Sequence, residues 1–245
     1  FRGQEVGRRY LEREPQIRAY VKDPGQNETS ANIRFILKKK KFRSDKVNLS
    51  NNFLQQKMPD FQAMVPELRG KPLVDVFIYV NAKMREDNFK TIQTICRKSR
   101  PQALWDGPFL RMKDGAPMAL FGDRRKWIFE GREIGGSIHE GIDLASTERA
   151  PVQAANSGAI LFAGSLGIYG NTVIIDHGLG MISLYGHLSS IQVKEGQSVK
   201  LGDLIGNTGM SGLAGGDHLH FGIMVGEQFV NPIEWWDPHW IADNV

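Results

Sequence analysis

The chain has 245 residues, 31 Lys and Arg against 27 Asp and Glu, a net charge of +4 and 41% hydrophobic residues. That balance excludes a collagen-like chain, a coiled coil and a fully disordered one, and no apolar run approaches the roughly 18 residues of a membrane-crossing helix. The single cysteine, Cys96, excludes an internal disulfide framework and a cysteine-rich zinc site. Residues 1–100 hold 22 basic and 11 acidic groups, a net of +11, whereas residues 101–245 hold 9 and 16, a net of −7. All six histidines, all five tryptophans and 23 of the 27 glycines lie in the second stretch. The chemistry is therefore expected after residue 100, with a docking or scaffold role before it. A first residue of Phe1 rather than Met leaves room for a signal or membrane-anchor segment ahead of it.

Residues 1–48 read as a partial β module with a basic linker. The β-prone runs Ile17 to Val21 and Ala31 to Leu37 flank Lys22-Asp23-Pro24-Gly25-Gln26-Asn27, whose composition predicts a hairpin turn. The run Lys38-Lys39-Lys40-Lys41-Phe42-Arg43 reads as a solvated strand end or linker. A nucleic-acid surface would need interleaved aromatics, and only Phe42 is present, so no nucleic-acid partner is expected.

Residues 49–103 read as a helical accessory region, with helices over Ser50 to Met64 and Pro72 to Ser99. Val76, Val80, Met84, Ile92, Ile95 and Cys96 recur at the spacing of one buried helical face. Between Leu73 and Val80 the β-branched and aromatic content also permits a strand. Cys96 lies on the apolar stripe with no histidine in the first hundred residues to activate it, and reads as a core thiol. The opposite charges of the two halves attract. Residues 1–100 are expected to pack on the following domain through Val80, Met84, Ile92 and Cys96, to restrict its groove by intramolecular inhibition, and to hold the chain near anionic polymers in a salt-sensitive way.

From Leu104 the pattern becomes mainly β, with short strands broken by glycine. Ala159-Ile160-Leu161-Phe162, Thr172-Val173-Ile174-Ile175, Met181-Ile182-Ser183-Leu184-Tyr185 and His220-Phe221-Gly222-Ile223-Met224-Val225 are closely spaced, with turn chemistry between them. This predicts a glycine-rich antiparallel β-sandwich or barrel over residues 104–245. Pro232 to Trp240 read as a short closing cap.

Three histidine groups stand out in that domain: His139-Glu140-Gly141-Ile142-Asp143, then Tyr185-Gly186-His187-Leu188, then His218-Leu219-His220. On a strand His218 and His220 would share a face, and Gly141 argues for His139 and Asp143 meeting across a turn into a strand. Imidazoles with one carboxylate are a usual zinc set, and three protein ligands leave a position open for chemistry. His177 reads as a turn residue beside Asp176, and His239 as a surface group in the cap. The glycine-rich run Val193 to Asp203 is similar to biotinyl and lipoyl carrier domains, but it lacks a modifiable lysine placed at a hairpin tip.

The stretches His139 to Ala145, Gly170 to Gly178, Tyr185 to Ser189, Val193 to Val199 and Gly216 to Gly222 together resemble the lysostaphin-type (LytM-like) zinc metallopeptidases of the bacterial cell wall. The resemblance covers roughly residues 107–236. It implies one zinc ion held by His139, Asp143 and His220, with His218 handling the proton of the attacking water and His187 assisting. Which of these two histidines is the base stays open. It also implies a zinc-dependent endopeptidase acting on the peptide cross-links of peptidoglycan, placed in the cell envelope, in the periplasm or elsewhere outside the cytoplasm. The rival is a non-catalytic or autoinhibited wall-binding or activator protein of the same fold, which the complete ligand set speaks against.

Overall fold

The computed structural model describes residues 17–34 and 40–245. Residues 1–16, and the 35–39 portion of the expected second strand run and basic linker, lie outside the described residues. The chain divides into two compact units, residues 1–41 and residues 42–245. In the first, β1 (Ile17–Lys22) and β2 (Glu28–Ile33) pair antiparallel from Ile17 opposite Ile33 to Lys22 opposite Glu28. The Asp23 carboxylate accepts both the backbone and the side-chain amide protons of Asn27 at 2.9 Å, which closes the expected turn.

The second unit opens with β3 (Ser44–Asn48) and three helices. α1 (Asn51–Met64) starts where the Ser50 hydroxyl accepts from the Phe53 amide, and it ends before Pro66. α2 (Leu73–Tyr79) runs through a π-helical turn, Val80–Met84, into α3 (Arg85–Cys96). Packing decides between helix and strand here: Val76, Phe77 and Val80 are buried together, and Phe77 meets Phe53 of α1 edge-on at 6.4 Å. Cys96 is buried against Met224, with its thiol pushed up to about 12 by burial and by the nearby charges of Glu227 and Asp176.

The remaining strands form a sandwich-like arrangement rather than a closed barrel. The large sheet runs β13 (Ser198–Val199), β9 (Gly158–Ser165), β10 (Asn171–Gly178), β11 (Met181–Leu188), β15 (Leu219–Val225), β7 (Ile142–Ala145), β4 (Ala116–Ala119), with β16 (Gln228–Val230) also on β15. A three-stranded sheet of β12 (Ser190–Ile191), β14 (Leu204–Asn207) and β8 (Pro151–Gln153) contributes Val152 and Ile205 to one core with Val173, Ile175, Tyr185 and Phe221. A third sheet sets β5 (Arg124–Phe129) between β3, parallel, and β6 (Arg132–Ile138), antiparallel. The short helices α4 (Pro232–Trp235) and α5 (Pro238–Asn244) close the chain as expected, with His239 exposed.

Alternation along the large sheet then fixes what lies on its other face. Ile174, Ile182, Leu184 and Met224 point away from the small sheet and join the core of the helices, with Val76, Val80, Met84, Ile92 and Cys96. The expected stripe therefore does pack on the β domain. A chain beginning near Ala103 would expose all four sheet residues, which are buried completely here. Burying each such side chain is worth about 1.5–3 kcal/mol, and the sum rivals the roughly 5–15 kcal/mol that holds a domain together. Such a chain should lose its cooperative thermal transition or aggregate. A shortened chain that stays folded and turns over faster than the full one would instead mark the segment as an inhibitor.

Candidate metal centre

Strands β7 and β15 are neighbours, and their register sets His220 directly opposite Asp143. Alternation sends Ile142, Leu144, Leu219 and Phe221 to the small-sheet core and turns Asp143 and His220 to the helix-bearing face. His139 enters from the end of β6, where its amide donates to the Asp123 carbonyl and its carbonyl accepts from Gly122. The turn between His139 and Asp143 must pass tightly over the His220 ring. A Cβ on Gly141 would lie 2.7 Å from His220 Nε2 and 2.5 Å from the Phe221 carbonyl, so glycine alone fits.

Three ligand atoms converge. His139 Nε2 lies 2.9 Å from Asp143 Oδ1 and 3.0 Å from His220 Nδ1, and His220 Nδ1 lies 3.0 Å from Asp143 Oδ1. All three residues are buried. A tetrahedral ion with bonds of about 2.0–2.1 Å spaces its donors by about 3.3 Å, so the cluster accepts such an ion with a few tenths of an ångström of relaxation. Two imidazoles and one carboxylate match the donor chemistry of zinc.

Backbone carbonyls set the tautomers. A carbonyl only accepts, so the Nδ1 atoms of His139 on Leu120 O (3.0 Å), His187 on Ser211 O (2.9 Å) and His218 on Gly216 O (2.9 Å) carry the protons. Each Nε2 is thereby left as a lone pair. His220 is the reverse: its Nδ1 faces the cluster, and its buried Nε2 has no hydrogen-bond partner among the described residues. That unpaired group and the φ of +64° at His187, in the left-handed region, mark this corner as strained in the manner of a working site.

His218 and His187 stand beside the ligand cluster, outside it. The His187 ring lies 4.9 Å from that of His218 and 5.8 Å from that of His220, and His218 Nε2 is 3.6 Å from Asp143 Oδ1. Burial would raise the Asp143 carboxyl, but the imidazoles of His139, His218 and His220 crowded around it override that and hold the group well below the usual carboxylate range. Burial, with the charges of His218 and His220, keeps His187 neutral, its pKa well below the ordinary imidazole value. His218 is less enclosed: burial works against its charge, yet the nearby Asp143 carboxylate outweighs it and raises its pKa.

Four residues that sequence reasoning did not single out complete the surroundings. Arg125 on β5 places Nη2 3.3 Å from Asp143 Oδ2. The Tyr169 hydroxyl donates to Glu140 Oε2 at 3.4 Å, and its ring leans over His220 at 5.4 Å. Arg85 of α3 interacts electrostatically with Tyr169, Glu140 and Asp143. Glu140 stood inside the first histidine motif, and Arg125 stood in the basic run Arg124-Arg125-Lys126 near it, which were the available signals.

His177 is not a turn residue. It is fully buried on β10, with Nδ1 donating to the Ser157 carbonyl and Nε2 accepting from the Ser183 hydroxyl, both at 2.7 Å. Ser183 in turn lies 3.0 Å from the Tyr185 hydroxyl, which accepts from the Ala155 amide. Burial pushes His177 down to about 4, so it is a neutral core histidine on the face away from the metal cluster.

The profile of Peptidase family M23 matches residues 137–232, the stretch that carries all five residues of this centre. Residues 137–232 are thus similar to an M23 peptidase domain. The chain is 43% identical over 96 residues to the DD-carboxypeptidase/endopeptidase Mpg of Neisseria meningitidis serogroup B, a match covering 39% of this chain and 22% of that protein. It is 36% identical over 96 residues to the peptidoglycan DD-endopeptidase ShyA of Vibrio cholerae, again 39% of this chain and 22% of the relative. The match thus spans about a fifth of the length of these relatives. Among solved structures, the catalytic domain of the antimicrobial peptidase lysostaphin from Staphylococcus simulans is 27% identical, covering 50% of this chain and 92% of that one, with a TM-score of 0.42.

Proposed function

We propose that this chain is a zinc-dependent endopeptidase that hydrolyses peptide cross-links of bacterial peptidoglycan, working in the cell envelope, in the periplasm or another extracytoplasmic space. The observation that carries the reading is the convergence of His139 Nε2, Asp143 Oδ1 and His220 Nδ1 within 4.8 Å of one another, with two further imidazoles at the same spot. The peptidoglycan substrate and the envelope placement draw support from the name of the Vibrio relative. Among the described residues no helix is long and apolar enough to cross a membrane.

His139, Asp143 and His220 would hold the zinc, which when bound supplies Lewis acidity toward a peptide carbonyl and an attacking water. The other steps belong to the side chains. His218 Nε2 carries a lone pair, because its Nδ1 proton is committed to Gly216 O, and it can take the proton of the attacking water and pass it to the leaving amine. His187, held neutral and oriented by Ser211 O, offers a second Nε2 lone pair to keep that water in line. The Leu120 carbonyl fixes the His139 ring, and Arg125 occupies the second oxygen of Asp143, so that Oδ1 alone faces the cluster.

The test is purification with zinc, metal analysis, digestion of intact peptidoglycan, and mass analysis of the released peptides. One zinc per chain and newly freed cross-link termini are expected. Zinc-loaded protein that leaves every cross-link intact would sink the enzymatic reading.

A further inference from the structure

Resting on the reading of this centre as a peptidase site, we propose that Arg125 is a specificity-determining residue whose guanidinium binds a free carboxylate carried by the substrate beside the scissile amide.

Arg125 reaches the centre from outside the matched M23 segment. It lies on β5 opposite Ser137 of β6, two residues before His139. Its contact with Asp143 Oδ2 is long, at 3.3 Å, where a charge-assisted pair usually closes to about 2.7–2.9 Å. The Arg125 side chain is 30% exposed, against 10% for that of Asp143, so it is engaged by Asp143 through Nη2 and yet still reachable from solvent. A guanidinium has five N–H donors in a fork shaped for carboxylates. Among the described residues, the Asp143 contact is its single hydrogen bond.

Charge points the same way. Within the centre, Asp143 and Glu140 face Arg85 and Arg125, and Arg85 is close enough to Arg125 for the two cations to repel. A divalent cation held by Asp143 would leave this group with excess positive charge. A neutral peptide cannot offset that charge, whereas a peptide with a free carboxylate next to the cleaved bond can do so by pairing with the N–H donors of Arg125 that Asp143 leaves unused.

The experiment uses zinc-loaded His218→Ala protein, in which turnover is slow enough for binding to be read, and two probes: diacetyl-lysyl-D-alanyl-D-alanine and its C-terminal carboxamide. Calorimetric titration should give at least about tenfold tighter binding of the free acid, as expected for one charge-assisted pair. Adding Arg125→Gln should abolish the preference at saturating zinc, while Arg125→Lys, which keeps the charge but not the fork, should retain a weakened one. Equal binding of the two peptides to the starting protein would overturn the proposal. So would a preference that persists in Arg125→Gln, or an equal loss of affinity for both peptides in Arg125→Lys, which would make Arg125 only a support for Asp143. Cleavage of the free acid by the unmutated enzyme is measured separately. A clear binding preference without cleavage would count against the peptidase reading and leave the carboxylate site standing.

Discussion

Replacing Asp143 with alanine should strip most of the zinc from the protein. Its Oδ1 is the one anionic donor of the cluster, 2.9 Å from His139 Nε2 and 3.0 Å from His220 Nδ1. Without it two imidazoles remain where a tetrahedral site needs three protein ligands. The Arg125 guanidinium, deprived of its carboxylate, would sit near the vacated position and repel a cation. The check is metal content per chain after dialysis, together with thermal unfolding with and without zinc. Ligand at a thousandfold excess over Kd stabilises the folded state by about 4 kcal/mol, so unmutated protein should show a clear rise in Tm on adding zinc, and Asp143→Ala almost none. Unmutated protein that takes up no zinc at micromolar concentrations would contradict the whole ligand assignment.

His218→Ala should keep the zinc and lose roughly two to four orders of magnitude in activity, the range for removing a general base. Its ring stands beside the three-atom cluster, with Nε2 at 3.6 Å from Asp143 Oδ1. His220→Ala should lose metal and activity together, because its Nδ1 belongs to the cluster. The pair of variants separates the two members of the His-x-His motif: if His218→Ala loses the metal and His220→Ala retains it, their roles are reversed. His187→Ala keeps all three ligands, and its activity relative to His218→Ala shows which imidazole moves the proton.

Much of this centre is legible in the sequence because its chemistry sits in short local motifs. His139 and Asp143 are four residues apart, His218 and His220 two, and each spacing states its geometry once the segment is taken as turn or strand. Residues supplied by pairing are not legible in that way. Arg125 arrives because β5 pairs with β6, and the Leu120 carbonyl arrives through the loop between β4 and β5. His177 escapes a local reading for the same reason. Flanked by Asp176 and Gly178 it has turn chemistry, but β10 continues through it, and its partner Ser183 comes from β11. The helical segment shows the complementary case. Leu73 to Val80 is β-prone in composition, and burial of Val76, Phe77 and Val80 among the helices and the edge of Trp127, 5.1 Å from Phe77, makes it helical.

The segment from Phe42 to Asn88 holds the loops around the metal centre at separate points. Phe42 lies so close to Gly122 that a Cβ there would come within 2.3 Å of its ring, and Asn81 donates to the Gly136 carbonyl. Asn88 accepts from the Ile168 amide, and the buried Lys57 ammonium donates to the Met210 carbonyl. None of those four gripping residues falls within the matched 137–232 stretch. Two proteins could therefore share every residue of that stretch and still differ in how the loops around it are held. Grafting the stretch alone onto another scaffold would transplant the ligands and leave behind the residues that hold these loops. Sequence change can thus act on residues 42–88 while the cluster of His139, Asp143 and His220 stays untouched.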